Sequence, residues 1–279
     1  MSDMASIRAV IASTERTKKI TSAMQLVASS KMAKSQRSMA NAKPYADTIS
    51  KLMQKVAESY EGLHPFFEKR SGKKAVYIVI SSDRGLCGGL NVALFKTLIK
   101  VLKETRQENI CAIGNKAKQF FRRIGGNVLA EVTHLGDQPS KHSIDQVIKP
   151  ALDGFLAGEF DEVHLVFNKY INVMTQEPTI AKLLPIEKVN QTNTNWDYIY
   201  EPDAESIIEK LVYKYIDSVV YEAVLENLAC EQAARMIAMK SATENAQTVI
   251  DDLNLAYNKA RQAVITTELS EIIAGADAV

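Results

Sequence analysis

The sequence predicts a mixed α/β protein in which long N- and C-terminal helices pair as an antiparallel coiled coil and flank a central Rossmann-like α/β domain. Three observations predict this fold class. Both ends of the chain carry apolar residues at alternating spacings of three and four, which is the pattern of paired helices. Both ends are nearly free of glycine and proline. Between them, β-branched runs alternate with amphipathic stretches, as in layered α/β domains.

The first helix is predicted over residues 1–60. This segment contains no glycine, and its only proline is Pro44, which is expected to be the weakest point because proline donates no backbone hydrogen bond. The polar positions of its stripe cluster between Thr14 and Gln25. The fifteen stripe positions are Ile7, Ile11, Thr14, Lys18, Thr21, Gln25, Ala28, Met32, Ser35, Met39, Ala42, Ala46, Ile49, Met53 and Val56.

The second helix is predicted over residues 204–279. Neither glycine nor proline occurs from Ala204 to Ile273. Pro202–Asp203 predicts the start, because both residue types favour the beginning of a helix, and Gly275 predicts the end. The sixteen stripe positions are Leu211, Tyr215, Ser218, Glu222, Leu225, Ala229, Gln232, Met236, Met239, Thr243, Ala246, Ile250, Leu253, Tyr257, Ala260 and Val264.

The central domain is predicted over residues 73–188 and is followed by a linker at 189–202. The run from Lys74 to Ser81 is apolar and β-branched, which is typical of a buried parallel strand. Because strands alternate with helices, we expect a largely parallel sheet. The predicted strands are 74–81, 110–114, 127–133, 162–170 and 179–186, and the predicted helices are 91–106, 115–124 and 143–156.

The two terminal segments carry opposite charge. Residues 4–58 have ten basic and three acidic side chains, a net charge of +7, whereas residues 204–279 have six basic and twelve acidic ones, a net charge of −6. Opposite signs favour pairing of the two helices with each other. Two alternatives remain: ordinary solvated faces, since surface ion pairs are weak, and nucleic-acid binding, for which the basic helix lacks interleaved aromatic residues.

Small residues crowd the stretch from Ser22 to Ala42. A slim surface with polar positions in its seam suits a shaft that lies inside a sleeve without adhering to it, because a strongly apolar surface would bind one orientation tightly. The alternative is a weakly stable helix that relies on the helix propensity of alanine.

The glycine-rich stretch from Ser81 to Asn91 lies between a predicted strand and a predicted helix, where a dinucleotide-binding loop would lie. It matches neither the dinucleotide-binding nor the phosphate-binding loop pattern. The alternative is a tight turn whose glycines take positive φ and allow close backbone approach. Cys87, Cys111 and Cys230 are far apart, which fits small buried thiols in a reducing compartment.

Neither catalytic nor metal-binding residues are predicted. The four histidines are scattered, and the chain has no HExxH, no Cys/His cluster and no nucleophile motif. The N-terminus lacks the apolar run of a signal peptide, and the longest apolar runs are too short to span a bilayer. We therefore expect a soluble chain without cofactors, which could dock on a membrane complex.

Several motifs resemble one family closely. Thr17–Met24 and Val27–Met32 are similar to the first helix of the F-type ATP synthase gamma subunit, and Ser82–Asn91 is similar to its central-domain signature. Glu226–Thr243 and Tyr257–Ile272 resemble its terminal helix. The resemblance extends over essentially the whole chain. It indicates a bacterial member, because the transit peptide and the cysteine-bearing insertion of the chloroplast form are both missing.

The resemblance implies a central rotor shaft and not a catalytic subunit. Its coiled coil would penetrate the hexamer of alpha and beta subunits, and its α/β domain would join the epsilon subunit and the c-subunit ring. Ion-driven rotation of the ring would drive ATP synthesis in the hexamer, and hydrolysis would run the cycle backward. The expected location is the cytoplasmic face of the bacterial cell membrane, as a peripheral protein.

The resemblance also implies contacts with the beta subunit. The predicted contact residues are Lys18, Lys19, Met24, Arg235, Lys240, Arg261 and Gln262. Lys18, Lys19 and Met24 match the region that faces an acidic loop of beta. Arg261 and Gln262 match a polar pair that engages a second loop of beta. Arg235 and Lys240 are expected to support this contact region. Ser22 departs from the family pattern, in which lysine is expected, and reduces the basic charge there.

Two other functions stay open on the residues alone. One is an enzyme that binds a nucleotide at the glycine-rich turn, and the other is a coiled-coil adaptor with an unrelated head. Saturable nucleotide binding by the isolated chain would favour the enzyme. Co-purification with alpha and beta subunits would separate the rotor from the adaptor.

Overall fold

The computed structural model describes residues 2–59, 65–70, 72, 74–105, 109–186 and 204–277. None of the helices described there is long and apolar enough to cross a membrane. Besides a short 3-10 turn, the elements in chain order are α1 (Ser2–Ser59), β1 (Ala75–Ile80), α2 (Leu90–Thr105), β2 (Asn109–Ile113), α3 (Asn115–Arg123), β3 (Asn127–Val132), α4 (Lys141–Leu156), β4 (Glu162–Tyr170), β5 (Gln176–Leu184) and α5 (Ala204–Asp277).

The five strands form one sheet in the order β3-β2-β1-β4-β5. All neighbours run parallel except β4 and β5, which are antiparallel, so the prediction of a largely parallel sheet is confirmed. Strand β5 begins and ends earlier than the predicted 179–186. The early start results from pairing with β4. Gln176 pairs with Tyr170 at the end of β4, so polar residues before position 179 take part in the strand.

The side chains of β1 divide the interior of the α/β layers into two cores. All six of its residues are buried, as expected for a parallel strand covered on both faces. Val76, Ile78 and Ile80 pack with α4 and with parts of α1 and α5. Ala75, Tyr77 and Val79 pack with α2 and α3 on the opposite face. The result is a sheet enclosed between two helical layers.

The terminal helices differ from prediction in detail. Helix α1 continues through Pro44, and the Thr48 hydroxyl donates a hydrogen bond to the Pro44 carbonyl at 2.7 Å. Helix α5 extends to Asp277, so the predicted stop at Gly275 is wrong; a glycine costs a helix only about 1 kcal/mol, which by itself does not end it. The predicted cap Pro202–Asp203 and the linker 189–202 lie outside the described residues.

The chain divides into two compact units. Residues 1–28 and 235–279 form one, here called the helical unit, and residues 29–234 form the other, here called the α/β unit. The α/β unit is wider than the predicted domain 73–188, because neighbouring parts of both terminal helices share the core of the sheet. Met53 of α1 and Val212 of α5, for example, are buried in that core.

Candidate interface on the terminal helices

Both predicted stripes face away from solvent. Six of the fifteen stripe side chains of α1 are buried and the other nine are half-buried. Of the sixteen on α5, seven are buried and nine are half-buried. Because these positions were chosen only by alternating spacings of three and four, the burial confirms the coiled-coil periodicity.

Within the helical unit, polar side chains join the two helices. From one of these bonds to the next, the residue number rises on α1 and falls on α5, so the two helices run antiparallel. The cationic partners on α1 bind neutral groups on α5, so at these positions charge complementarity does not take the form of ion pairs. The bonds are from Arg8 to the Tyr257 hydroxyl, from Lys18 to the side-chain oxygen of Gln247, and between the hydroxyls of Thr21 and Thr243 at 2.8 Å.

These bonds explain the polar cluster in the α1 stripe. Lys18 and Thr21 both lie between Thr14 and Gln25, where the seam of an ordinary coiled coil would be apolar. Each hydroxyl also bonds to a carbonyl of its own helix, Thr21 to Lys18 at 3.1 Å and Thr243 to Met239 at 2.8 Å. Paired in this way, polar groups can occupy the seam without an unsatisfied partner.

The predicted contact residues differ in how far they reach solvent. Lys18 is half-buried and already bonded to Gln247, and Met24 is half-buried. Lys240 lies 3.9 Å from Glu244, one helical turn away. The exposed members of the set are Lys19, Lys240, Arg261 and Gln262.

Arg235 is the only one of the seven predicted contact residues that is buried, since 9% of it is exposed. The structure therefore places Arg235 inside the chain and not on an open contact surface. It ends a run of buried residues from Ala223 to Arg235 in which only Glu226 and Leu228 are half-buried. The sequence signal was available: small and apolar residues make up most of that stretch, which indicates a helix covered on most of its surface.

A buried polar contact that the sequence analysis missed binds α5 to the end of β4. The Asn227 side-chain oxygen accepts from the Asn168 side-chain amide at 2.9 Å and from the Asn168 backbone N–H at 3.3 Å. The Cys230 thiol donates to the Asn168 carbonyl at 3.2 Å. Burial raises the pKa of the Cys230 thiol, so this sulfur stays protonated and remains a donor.

Tyr170, the last residue of β4, contacts both terminal helices. Its backbone N–H donates to the Glu226 carboxylate of α5 at 2.9 Å. Its hydroxyl accepts from the Gln36 side-chain amide of α1 at 2.7 Å. Burial raises the pKa of Glu226, an effect opposed by the Tyr170 hydrogen bond and by Lys169 and Lys43. We call these six residues, Gln36, Asn168, Tyr170, Glu226, Asn227 and Cys230, the β4 junction.

The glycine-rich loop after β1 is held by its own side chains. Asn91 donates to the Ser82 hydroxyl at 2.7 Å and accepts from the Ser82 backbone N–H at 3.2 Å. Its amide also lies 3.3 Å from the Cys87 sulfur. Cys87 and Leu90 pack against α5 at Cys230 and Ala234. These polar groups are occupied within the loop, which fits the interpretation as a turn that docks on a helix.

The expectation of positive φ and close approach at the loop glycines is met only in part. Gly88 has a positive φ of 57°, but the non-glycine Leu86 also has a positive φ, of 64°. A Cβ at Gly89 would meet nothing within 4 Å. The close approach occurs instead at Gly114 after β2, where a Cβ would lie 2.3 Å from the Ser81 carbonyl oxygen.

Comparison with known proteins identifies the family. Residues 3–279 match a family model described as ATP synthase. The ATP synthase gamma chain of Nitrosococcus oceani is 49% identical over 282 residues, covering 98% of each chain. The chain belongs to the ATP synthase gamma-chain family. Members of this family are the central-stalk rotor subunit of F-type ATP synthase.

Solved structures of distant relatives share the fold. One is a cryo-EM structure of mitochondrial ATP synthase from Euglena gracilis, with a TM-score of 0.73 and 20% identity over 99% of this chain and 94% of that one. Another is the central stalk and c-ring of the Tetrahymena thermophila mitochondrial enzyme, with a TM-score of 0.63 and 22% identity over 80% of this chain and 99% of that one. The fold of two terminal helices and a central sheet therefore persists at low identity.

Proposed function

We propose that this chain is the non-catalytic rotor shaft of a bacterial F-type ATP synthase. Its helical unit enters the alpha/beta hexamer, and its α/β unit joins the epsilon subunit and the c-subunit ring. Rotation of the ring by ion flow turns the chain and drives ATP synthesis, and hydrolysis reverses the motion. The complex holds the chain at the cytoplasmic face of the cell membrane. The observation that carries the proposal is the 49% identity over 98% of both chains, which includes both terminal helices.

The distribution of exposed apolar side chains supports an enclosing partner. Of eighteen large hydrophobic residues that are exposed in the described chain, ten belong to the helical unit, although that unit is much the smaller. A concentration of this kind marks a surface that is covered in a complex. It differs from the slim, non-adhering surface expected for Ser22–Ala42, since two of the ten lie in that stretch. On α1 these residues are Val10, Ile20, Leu26 and Val27, and on α5 they are Val249, Leu255, Ile265, Leu269, Ile272 and Ile273.

The exposed polar residues supply contacts that can form and break. Lys19, Arg261 and Gln262 present their side chains to solvent. Hydrogen bonds from such groups suit loops of beta, an acidic loop for Lys19 and a second loop for Arg261 and Gln262. Lys18 and Met24 are half-buried on α1, near Lys19 in the chain. Arg235 supports this region from inside the chain, since its side chain is buried.

The non-catalytic role is supported by the way polar groups are used. Ser82 and Asn91, where a nucleotide-binding loop would need free donors, bond to each other.

Substitution of the exposed polar pair tests the proposed contacts. In complexes reconstituted into vesicles, Arg261→Ala and Gln262→Ala are each expected to lower ATP synthesis by up to about tenfold, since each removes one strong hydrogen bond to the partner. Lys259→Ala is the matched control, because Lys259 is also exposed on α5, and it is expected to leave synthesis unchanged. Equal rates in all three variants would contradict the contact assignment.

A further inference from the structure

We propose that the β4 junction fixes the rotational register of α5 against the sheet, and that its residues are positioning residues for torque transmission. The inference rests on the proposed function, because torque is transmitted only if the chain rotates. It goes beyond that function by locating the rigid attachment inside one compact unit: all six junction residues belong to the α/β unit.

The first argument is the kind of contact that holds α5. Below the junction, α5 packs on the sheet through apolar residues such as Val212, Ile216 and Val220. Apolar contacts are not directional, so they oppose a twist of the helix only through the fit of side chains. Hydrogen bonds at Asn227 are directional, and a turn of one residue, about 100°, carries that side chain away from β4.

The second argument is what such a twist would leave behind. Asn168 is 1% exposed and Asn227 is 2% exposed. If the Asn227 oxygen moved away, the backbone N–H and the side-chain amide of Asn168 would both lose their acceptor in a buried site. Buried donors without a partner are costly, so the junction adds a directional restraint on rotation of α5 to the one that the apolar packing supplies.

The third argument is that one end of one strand holds both helices. Glu226 and Cys230 are one turn apart on α5, so they present the same face to β4. Tyr170 bonds to Glu226 through its backbone and to Gln36 of α1 through its hydroxyl. A displacement of β4 is therefore imposed on both helices together, as a rigid rotor requires.

A surface contact elsewhere in the same unit provides a matched control. Lys31 of α1 bonds to Asp137, with an N–O distance of 2.9 Å, but the two side chains are 36% and 44% exposed. Exposed ion pairs contribute little rigidity. Removing this pair also takes away a contact between α1 and the α/β layers, but it leaves no buried group unsatisfied.

The test is the torsional stiffness of the rotor in the assembled complex. The alpha/beta hexamer is fixed to a surface, and a bead is attached through Lys100→Cys on α2; Lys100 is exposed and the three native thiols are buried. The angular spread of the bead is measured while rotation is paused. We expect Asn227→Leu to widen the spread and to abolish ion pumping against a high opposing gradient, while unloaded ATP hydrolysis is retained.

The control variants separate stiffness from stability. Asn227→Asp keeps acceptor oxygens and is expected to restore most of the stiffness, and Asp137→Ala is expected to match the wild type. Tyr170→Phe removes only the bond to Gln36 and should assemble even if Asn227→Leu does not, with a smaller widening of the spread.

The outcomes distinguish this inference from the proposed function. Rotation with an unchanged spread in Asn227→Leu, or in Tyr170→Phe where that variant alone assembles, would overturn the inference and leave the rotor function intact. A lower melting temperature with unchanged spread would likewise reduce the junction to a structural role. A wild-type complex that does not rotate would overturn both.

Discussion

Gly114 shows how one residue without a side chain can determine the shape of a strand end. Its φ is 96°, and its N–H donates to the Val132 carbonyl at 2.8 Å. The atoms that a Cβ would meet belong largely to the backbone of Ser81, so they cannot move aside. Both the conformation and the close contact therefore require glycine.

We predict that Gly114→Ala lowers the free energy of unfolding by about 2–4 kcal/mol, because it combines left-handed strain with a steric clash. Gly136→Ala is the control: its φ is 69° and nothing lies within 4 Å of the added Cβ, so it should cost only about 1–2 kcal/mol of strain. Urea unfolding of the two variants measures both values. Equal losses would mean that the clash is relieved by movement of the Ser81 backbone.

Glu222 makes stability depend on pH. Burial raises its pKa, the carboxylates of Glu226 and Asp47 raise it further, and Lys43 lowers it. The folded state then holds a proton more tightly than the unfolded state, in which the pKa of this glutamate is near 4.5. The ionised carboxylate consequently destabilises the fold at neutral pH, and stability is regained as the pH falls through the folded pKa toward the unfolded one.

Glu222→Gln should therefore raise the melting temperature at neutral pH and reduce the gain that the wild type shows as the pH is lowered from neutral toward the unfolded pKa. Glu209→Gln, at an exposed position on the same helix, is expected to leave that gain unchanged. Thermal melting of the full chain at several pH values is the measurement. A wild-type gain that persists in Glu222→Gln would assign the pH dependence to other groups.

At the residue scale, burial could be predicted where composition decides it and not where packing does. All three cysteines are buried, as expected, and burial raises the pKa of Cys111 to about 12. Arg235 is buried because it ends the covered stretch 223–235 of α5; the small and apolar residues of that stretch indicate this, whereas the stripe of seam positions alone does not. The partners of Asn168 and Asn227 depend on where β4 ends relative to α5, and no local pattern specifies that.

At the scale of elements, the seam of the helical unit depends on paired polar groups. The Thr21 and Thr243 hydroxyls lie 2.8 Å apart, and each also bonds to a carbonyl of its own helix, that of Lys18 or that of Met239. Valine has nearly the shape of threonine but no hydroxyl, so it removes the hydrogen bond with little change in packing. The pair can therefore be examined by single and double replacement.

We expect Thr21→Val and Thr243→Val each to destabilise the helical unit, and the double variant to cost less than the two together by about 0.5–1 kcal/mol, because both partners of one bond are then absent. Amide hydrogen exchange on α1 reports the local opening energy. Strict additivity would show that the 2.8 Å contact contributes no coupling energy.

Strands and helices could be predicted from sequence wherever a local pattern decides them. The run at β1 and the two stripes have strong periodic patterns, and the structure bears them out. The first residues of β5 are Gln176, Glu177 and Pro178, which have low strand propensity, and pairing with β4 decides their conformation. The helix end at Gly275 fails for a similar reason, since a single glycine is a weak stop signal.

At the scale of the whole molecule, sequence predicted three segments and the structure shows two compact units. The difference arises because stretches of α1 and α5 complete the core of the sheet, which a division by composition cannot detect. The family, in contrast, could be identified from sequence, because its motifs are long and extend through both terminal helices. The 49% identity over 98% of each chain confirms that identification.

The central claim is that this chain couples rotation to catalysis without being a catalyst. Reconstitution with alpha and beta subunits tests it most directly. ATP hydrolysis by the alpha/beta assembly should depend on added chain, saturate when each hexamer holds one copy, and occur without saturable nucleotide binding by the isolated chain. Hydrolysis that is indifferent to the chain, or saturable nucleotide binding at the Gly85–Gly89 turn, would contradict the account.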